Sequence, residues 1–302
     1  MRPNLSRLLA FILSGLAVGT MAFAEEQAGD AATANAGIEH GRKLMAEARF
    51  VEAQKEFQAV VEEDLKLHGP QDPKTLSDRL DLAIAEGKAG DTIKAEDEMR
   101  SLLAIFLRRR GPDHDETLNC RTALAGLLND VGRPHEAEKE YRQVLDSRER
   151  MLGPDDIEVA RVRHSLGDAL AAAIEYAAAI EEFQRAEVVL ERVLGAEAPE
   201  TLLNRSNLAL AEGEHQQFDA AEKELKAVLA IRERLLGPDD VSVLMTCYEL
   251  GRVLGGHHQF GEALTYATRA ADGFRKLGPS SRALAMANKL CTEIQGDLTP
   301  PK

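Results

Sequence analysis

Small and apolar residues recur along this chain with a single period of 42 residues. One phase of the period holds a leucine, at Leu82, Leu124, Leu166, Leu208 and Leu250. Another phase holds an alanine, at Ala53, Ala95, Ala137, Ala179, Ala221 and Ala263. Around both phases the apolar residues are spaced by about 3, 4 and 7, which is typical of an amphipathic helix. Each period therefore predicts two antiparallel helices, which we call helix A (with the leucine) and helix B (with the alanine).

The connectors between periods carry the same register. LGPDD stands at residues 152–156 and again at 236–240, and related strings place a glycine at Gly69, Gly111, Gly153, Gly195, Gly237 and Gly278. A glycine with a left-handed backbone can end helix B, proline cannot continue it, and acidic residues favour the next helix start. We therefore predict that GPDHDET at 111–117 is a connector rather than a metal-binding loop.

This periodicity predicts six helical repeats over residues 34–278. In the sixth repeat, helix A is expected at about 241–255 and helix B at about 261–277. Pro134 falls in the first turn of a helix B, where proline causes no break. A further helix at 279–296 is predicted to cover the end of the array, since repeat arrays need a terminal cap for solubility. Residues 25–33 and 297–302 are predicted to be a flexible N-terminus and a tail.

The first 24 residues have the pattern of a secretory signal peptide. Arg2 and Arg7 precede an uncharged, largely apolar run, which ends in Ala22-Phe23-Ala24 before Glu25. An apolar stretch of about 15 residues is short for a membrane span, which needs about 20. Cleavage after Ala24 is the favoured prediction, with an uncleaved anchor as the alternative. The mature protein is then expected in the periplasm or outside the cell, without a membrane span.

The residues Leu166, Gly167, Leu170, Tyr176, Ala179, Phe183 and Ala186 carry a pattern that resembles the tetratricopeptide repeat. That repeat usually has about 34 residues. The longer period here, and the stretch AVLAIRERLLGPDD at 227–240, resemble the 42-residue repeat of kinesin light chains and their bacterial relatives. The resemblance implies an all-α, right-handed α-solenoid of helix-turn-helix repeats. It also implies a concave groove that binds a protein or peptide, often through asparagines on helix A, of which only Asn207 matches here.

The positions of helix A that point away from the core are predicted to line this groove. The candidate peptide-binding residues are Asn119, Thr122, Arg161, His164, Asp168, Leu203, Asn207, Leu210 and Arg252. They combine a polar centre with apolar flanks. Exposed leucines favour a groove that takes apolar side chains of a partner. The alternative is that neighbouring helices cover those leucines.

A series of arginines follows the same period, at Arg79, Arg121, Arg163 and Arg205. One interpretation is a basic ladder for an acidic peptide or glycan. The favoured interpretation is that each arginine packs its stem at the edge of the core and pairs with an acidic residue of an adjacent helix.

The net charge and the absence of catalytic motifs argue against several classes of function. The net charge of −14 becomes −16 without Arg2 and Arg7, which argues against binding nucleic acid or an anionic membrane. HEAEK at 135–139 lacks the second histidine of a zinc-protease motif, and neither a nucleophile elbow nor a phosphate loop occurs. We therefore expect no enzyme, cofactor or metal site. Among the three cysteines, a bond between Cys247 and Cys291 is possible, but free thiols are favoured.

The sequence thus favours an exported scaffold that binds a protein or peptide in its groove, as an adaptor in a bacterial cell-envelope complex. The alternative is an enzyme or accessory factor of polysaccharide or cell-wall metabolism, in which Asp168 and His164 act in the groove. The second hypothesis requires that one of these groups titrates abnormally.

Overall fold

The computed structural model describes residues 36–278 and 281–298. The predicted signal peptide, the N-terminal segment at 25–33 and residues 299–302 of the tail lie outside these ranges. Within the described ranges every regular element is a helix. The described chain divides into two compact bodies, the N-terminal body (residues 36–127) and the C-terminal body (residues 128–278 and 281–298).

The helices alternate between the A and B types along the chain. The first five are α1 (36–46), α2 (Phe50–Leu67), α3 (Pro73–Ala89), α4 (Thr92–Arg110) and α5 (Asp115–Asp130). The next four are α6 (Pro134–Leu152), α7 (Ile157–Ala172), α8 (Tyr176–Leu194) and α9 (Pro199–Glu214). The last four are α10 (Phe218–Leu236), α11 (Val241–Gly256), α12 (Phe260–Leu277) and α13 (Arg282–Leu298). Odd numbers up to α11 are helices A, and even numbers are helices B.

The connectors end one helix and start the next, as predicted. The N–H of Gly153 donates to Glu149 O at 3.0 Å, and Gly153 has φ 87° with ψ 159°. Its φ is left-handed while its ψ is extended, a combination essentially restricted to glycine. The Asp156 Oδ1 carboxylate oxygen then accepts the N–H of Glu158 at 2.8 Å and caps α7. In LGPDD the glycine therefore ends a helix B, and the second aspartate caps the start of the next helix A.

From α6 to α12, each helix B is longer than the helices A. Helix B has 18 or 19 residues in α6, α8, α10 and α12, against 16 residues in α7, α9 and α11. Pro134 occupies the first turn of α6 without breaking it, which confirms the prediction. Proline is tolerated there because the first N–H groups of a helix have no partner within the helix.

The core of the N-terminal body lies between α1, α2 and α3. Its buried residues are Ile38, Leu44, Ala53, Phe57, Val60, Val61, Leu82 and Ala85. Helix α1 approaches α2 closely, since a Cβ atom added at Gly41 would lie 2.5 Å from the Phe57 ring. The small residue at this phase of the repeat therefore makes room for the large residue of helix B.

The same arrangement recurs in the C-terminal body. A Cβ atom at Gly167 would lie 2.7 Å from the buried Phe183 ring. The last helix, predicted at 279–296, is observed as α13, and Ile294 of α13 packs against Leu254 and Ala267. Ala267, which replaces the large residue of the sixth repeat, is thus covered from the side of α13.

Candidate functional site

The nine predicted groove residues divide between the two bodies. Asn119 and Thr122 lie on α5 in the N-terminal body, where the Thr122 hydroxyl donates to Leu118 O at 2.9 Å. The other seven lie on three consecutive helices A of the C-terminal body: Arg161, His164 and Asp168 on α7, Leu203, Asn207 and Leu210 on α9, and Arg252 on α11. We call the surface formed by these seven residues the helix-A face.

Arg161 at one end of the helix-A face is held by two glutamates. Its guanidinium donates to Glu158 Oε1 at 2.5 Å and, through two nitrogens, to the Glu200 carboxylate at 2.8 and 3.1 Å. The Arg161 hydrogen bonds hold the pKa of Glu200 below its usual range. A bidentate pair of this kind is geometrically specific. Arg161 therefore links α7 to α9 and already has carboxylate partners.

A polar network occupies the centre of the helix-A face. The Asn204 amide nitrogen donates to Phe183 O at 2.9 Å, so its Oδ1 faces His164 Nδ1 at 3.0 Å as an acceptor. The Asn207 amide donates to Asp168 Oδ1 at 2.8 Å, and His164 Nε2 lies 3.5 Å from Asp168 Oδ2. The network orients His164 and Asp168. It also engages the one asparagine that matches the kinesin-light-chain pattern, so that its amide already has a partner within the protein.

Asp168 titrates abnormally in this setting. Burial raises its pKa, and this effect outweighs the nearby His164 and the Asn207 hydrogen bond, which both favour the ionised form. The side chain keeps 38% exposure, so water reaches the carboxylate from one side while protein surrounds it on the others. The two carboxylate oxygens are only partly hydrated. A cation would therefore interact more strongly with Asp168 than with a carboxylate on the open surface.

Apolar residues flank this network. The Leu203 side chain is 46% exposed, and Leu210 is half-buried against the core of α9 to α12. Neighbouring helices therefore do not cover Leu203, whereas Leu210 is covered in part. In the N-terminal body Leu80, at another position of helix A that points away from the predicted core face, is buried, which there fits the alternative of leucines covered by neighbouring helices.

Two adjoining pockets open between the helices of the helix-A face. The first, about 260 Å³, is lined by Asp168, Ala171, Tyr176, Phe183, Asn207, Leu210, Ala211, Glu214 and Arg252. The second, about 250 Å³, shares Leu210, Glu214 and Arg252 with the first and adds Gly213, Gln216, Phe218, Val253 and Gly256. Arg252 donates to Glu214 across the boundary between the two pockets. We call the first of these the Asp168 pocket.

The periodic arginines act at the edge of the core. Three of them pair with acidic residues of neighbouring helices: Arg79 with Glu98, Arg163 with Glu149 and Glu182, and Arg205 with Glu224 and Glu187. These observations confirm the favoured interpretation for the three residues and argue against a basic ladder. Arg163 is 9% exposed, which is why its charge requires close partners.

A larger pocket in the N-terminal body was missed by the sequence analysis. Its volume is about 1140 Å³, and it lies between α2, α3 and α4 with Val61, Leu82 and Ile93 among its lining residues. Glu86 in its wall is buried, and the Lys94 ammonium lies 2.5 Å from the Glu86 carboxylate. The sequence contains one sign of this pocket. Glu86 occupies a position of helix A that faces the core, and most other repeats have a leucine there.

Two buried carboxyl groups elsewhere were also missed. Burial and the neighbouring Asp64 carboxyl raise the pKa of Asp78 to about 7, while Lys74 contacts both aspartates. In the C-terminal body, burial raises the pKa of Glu249 on α11 to about 7. The Glu249 Oε2 atom accepts no hydrogen bond from the described part of the chain.

Possible metal ligands and cysteine thiols lie outside the helix-A face. The ligand atoms of His135, Glu138 and Glu175 lie within 4.8 Å of one another on an exposed surface. Arg142 already contacts Glu138 at 2.8 Å, so one of these carboxylates has a cationic partner. Cys247 and Cys291 have free thiols, which confirms the favoured prediction for these two residues.

Comparison with known proteins identifies the repeat. The family model of the tetratricopeptide repeat matches residues 79–150, 121–191 and 200–276, which together make up more than half of the chain. The chain belongs to the tetratricopeptide repeat family. The all-α solenoid of helix-turn-helix repeats expected from the sequence is thereby confirmed. No curated protein matches the chain.

Solved structures share the tetratricopeptide repeat fold. A kinesin-light-chain-like protein with nearly identical repeats from Podosopora anserina is 23% identical with a TM-score of 0.61, covering 69% of this chain and 98% of that chain. BtubC (BKLC) from P. vanneervenii is 21% identical with a TM-score of 0.54, covering 90% and 93%. A Rap protein complexed with Competence and Sporulation Factor is 15% identical with a TM-score of 0.57, covering 87% and 74%. At these identities the likeness concerns the fold alone.

No helix in the ranges 36–278 and 281–298 combines the length and the apolar character needed to cross a membrane.

Proposed function

We propose that this protein is an exported repeat scaffold that binds a protein or peptide segment at the helix-A face and acts as an adaptor in the bacterial cell envelope. In this proposal it has no chemistry of its own. Tetratricopeptide repeat scaffolds typically serve protein–protein interaction, and one structural neighbour, a Rap protein, is complexed with Competence and Sporulation Factor.

The observation that carries this proposal is the mixture of side chains on the helix-A face. Leu203 is 46% exposed and Leu210 is half-buried, and they lie on the same helix as Asn207, which belongs to the ordered polar network. Exposed apolar residues beside fixed polar groups are typical of binding surfaces, because burial of the former supplies affinity and the latter select the partner. The two pockets between α7, α9 and α11 give such a partner places for individual side chains.

A photocrosslinking residue at position 203, tested in the protein's own cells, examines the proposal. The matched control position is Val188, which is 65% exposed on α8, a helix B. We expect one protein to be captured from position 203 and not from position 188. Capture from position 188 alone would place the recognition surface on the helices B and contradict the proposal.

Substitutions at the same two positions separate binding from folding. Leu203→Asp is expected to weaken capture of that protein at least tenfold, because it places a charge where apolar surface is buried. Val188→Asp is expected to leave capture unchanged. Since both side chains are exposed, circular dichroism and Tm should stay close to those of the parent chain.

Export rests on the pattern of residues 1–24. N-terminal sequencing of the protein recovered from the periplasm or the medium is expected to begin at Glu25. Recovery of the chain only from the cytoplasm, with Met1 or Arg2 as its first residue, would show that the leader interpretation is wrong.

A second candidate function is an enzyme or accessory factor of polysaccharide or cell-wall metabolism. One observation favours it: burial raises the pKa of Asp168, and His164 lies 3.5 Å away, as in acid–base pairs. Incubation of the purified chain with cell-wall polysaccharide, followed by an assay of released reducing ends, tests this function. Release that disappears in Asp168→Asn supports it, and no release above buffer excludes it for that substrate.

A further inference from the structure

The charges around the Asp168 pocket do not balance. Its lining includes two carboxylates, Asp168 and Glu214, and one guanidinium, Arg252. Arg252 donates to Glu214, so these two charges offset each other within the lining. Among the residues that the structure describes, Asp168 then has the neutral Asn207 amide and the His164 ring as its polar neighbours. The pocket thus keeps one carboxylate that lacks a permanent cationic partner.

The second oxygen of Asp168 has unused acceptor capacity. Asn207 donates to Oδ1, but the contact nearest to Oδ2 is His164 Nε2 at 3.5 Å, which exceeds normal hydrogen-bond length. Among the described residues no donor reaches Oδ2 within hydrogen-bond distance. His164 Nδ1 already faces the Asn204 acceptor oxygen, so the ring is held in place by that bond.

The walls of the pocket are apolar and partly aromatic. They include Tyr176, Phe183, Leu210 and Ala211, and the volume of about 260 Å³ suits one long side chain. An acidic side chain would meet Asp168 and Glu214 at the same time. A purely apolar side chain would remove the last water from Asp168 without supplying a hydrogen bond, which is costly for a carboxylate.

We propose that the Asp168 pocket takes a lysine or arginine side chain of the segment bound at the helix-A face. Its aliphatic stem lies along Tyr176 and Leu210, and its cationic head donates to Asp168 Oδ2. Long basic side chains bury their stems on apolar surface in this way, and aromatic rings attract their charge. This inference rests on the proposed function and specifies the chemistry of the partner, a segment with a basic residue among apolar ones.

A phage-displayed library of random 12-residue peptides, selected on the purified full chain, tests the inference. Each selected peptide is first tested for binding to the Leu203→Asp variant. Peptides that bind the parent chain but lose binding to this variant are called face-dependent. We expect lysine or arginine to be enriched at one position of the face-dependent peptides. We expect that enrichment to disappear when the selection is repeated on Asp168→Asn.

Synthetic peptides make the comparison quantitative. Replacing the enriched lysine by norleucine should weaken binding to the parent chain about 10- to 100-fold, as expected for a charge-assisted hydrogen bond. The same replacement should change binding to Asp168→Asn less than about threefold, because the partner of the ammonium is already absent. The control is Glu181→Gln, which removes an exposed carboxylate on the neighbouring helix α8 outside the pocket. It should leave the effect of norleucine unchanged.

The outcomes distinguish this inference from the proposed function. Face-dependent peptides without basic enrichment, or with an enrichment that Asp168→Asn preserves, would overturn the inference and leave the scaffold function intact. A library that yields no peptide dependent on Leu203 would contradict the proposed function and the inference together. Melting curves of Asp168→Asn identify loss of folding, and the norleucine comparison on the parent chain tests the inference without altering the protein.

Discussion

Replacing Glu249 by glutamine should stabilise the C-terminal body in a pH-dependent way. Glu249 lies on α11, and its Oε2 atom is buried without a hydrogen-bond donor in the described part of the chain. Burial therefore raises its pKa to about 7, although Arg232 and Arg252 favour the charged form.

The sign of the effect follows from proton linkage. Between the ordinary glutamate pKa and about 7, the folded chain holds a proton on Glu249 that the unfolded chain has released. Stability from this group is therefore present in full below the ordinary pKa and is lost as the pH rises through about 7. A pKa raised from 4.5 to about 7 corresponds to roughly 3 kcal/mol as an upper limit, since each pKa unit is worth about 1.4 kcal/mol.

Urea unfolding followed by circular dichroism at pH 5, 6, 7 and 8 measures this effect. Glu249→Gln keeps the shape of the protonated carboxyl, so we expect it to match the parent chain at pH 5 and to exceed it by about 2 to 3 kcal/mol at pH 8. Asp78 titrates in the same range, but it is present in both proteins and cancels in the difference. The control Glu293→Gln removes an exposed carboxylate and should change stability by less than about 0.5 kcal/mol. An equal difference between Glu249→Gln and the parent chain at pH 5 and pH 8 would refute the reasoning.

Two further predictions concern packing and thiol chemistry. Gly167→Ala should destabilise the chain by about 1 to 3 kcal/mol in urea unfolding, because the new methyl would lie 2.7 Å from the Phe183 ring. Gly261→Ala, with nothing within 4 Å of the new methyl, should instead stabilise by up to about 1 kcal/mol; equal effects at both sites would contradict this packing argument. In maleimide labelling of the native protein with mass-spectrometric readout, half-buried Cys291 should react before Cys247, which is fully buried with its thiol pKa raised to about 11. Faster labelling of Cys247 would show that α11 opens locally.

The sequence by itself determined the helices, their ends and their buried faces. Gly153 and Asp156 stop and start helices as their chemistry predicts, and Ala137 and Ala179 at the periodic alanine phase are fully buried. These features depend on neighbours within about one turn of helix or on a repeat of fixed length. A periodic sequence repeats such local information in each period, so it can be read from the chain directly.

Part of the candidate site could be anticipated and part could not. The sequence predicts that Arg161, His164 and Asp168 share one face of a helix A; all three lie on α7, with His164 Nε2 3.5 Å from Asp168 Oδ2. The sequence did not show the partners of these residues on other helices, Glu200 for Arg161 and Asn207 for Asp168. These contacts join residues 39 positions apart on different helices, so they depend on the offset between neighbouring repeats.

Tertiary structure alone decided the depth and charge of the site. The Asp168 pocket exists because Tyr176 and Leu210, from two other helices, meet beside α7, and Glu249 has a raised pKa because the packed helices bury it. Hydrophobic period is a property of one helix, whereas the water left around a carboxylate depends on how closely separate helices approach. That distance is set by the whole packed core, in which small shifts decide whether a polar group keeps its water.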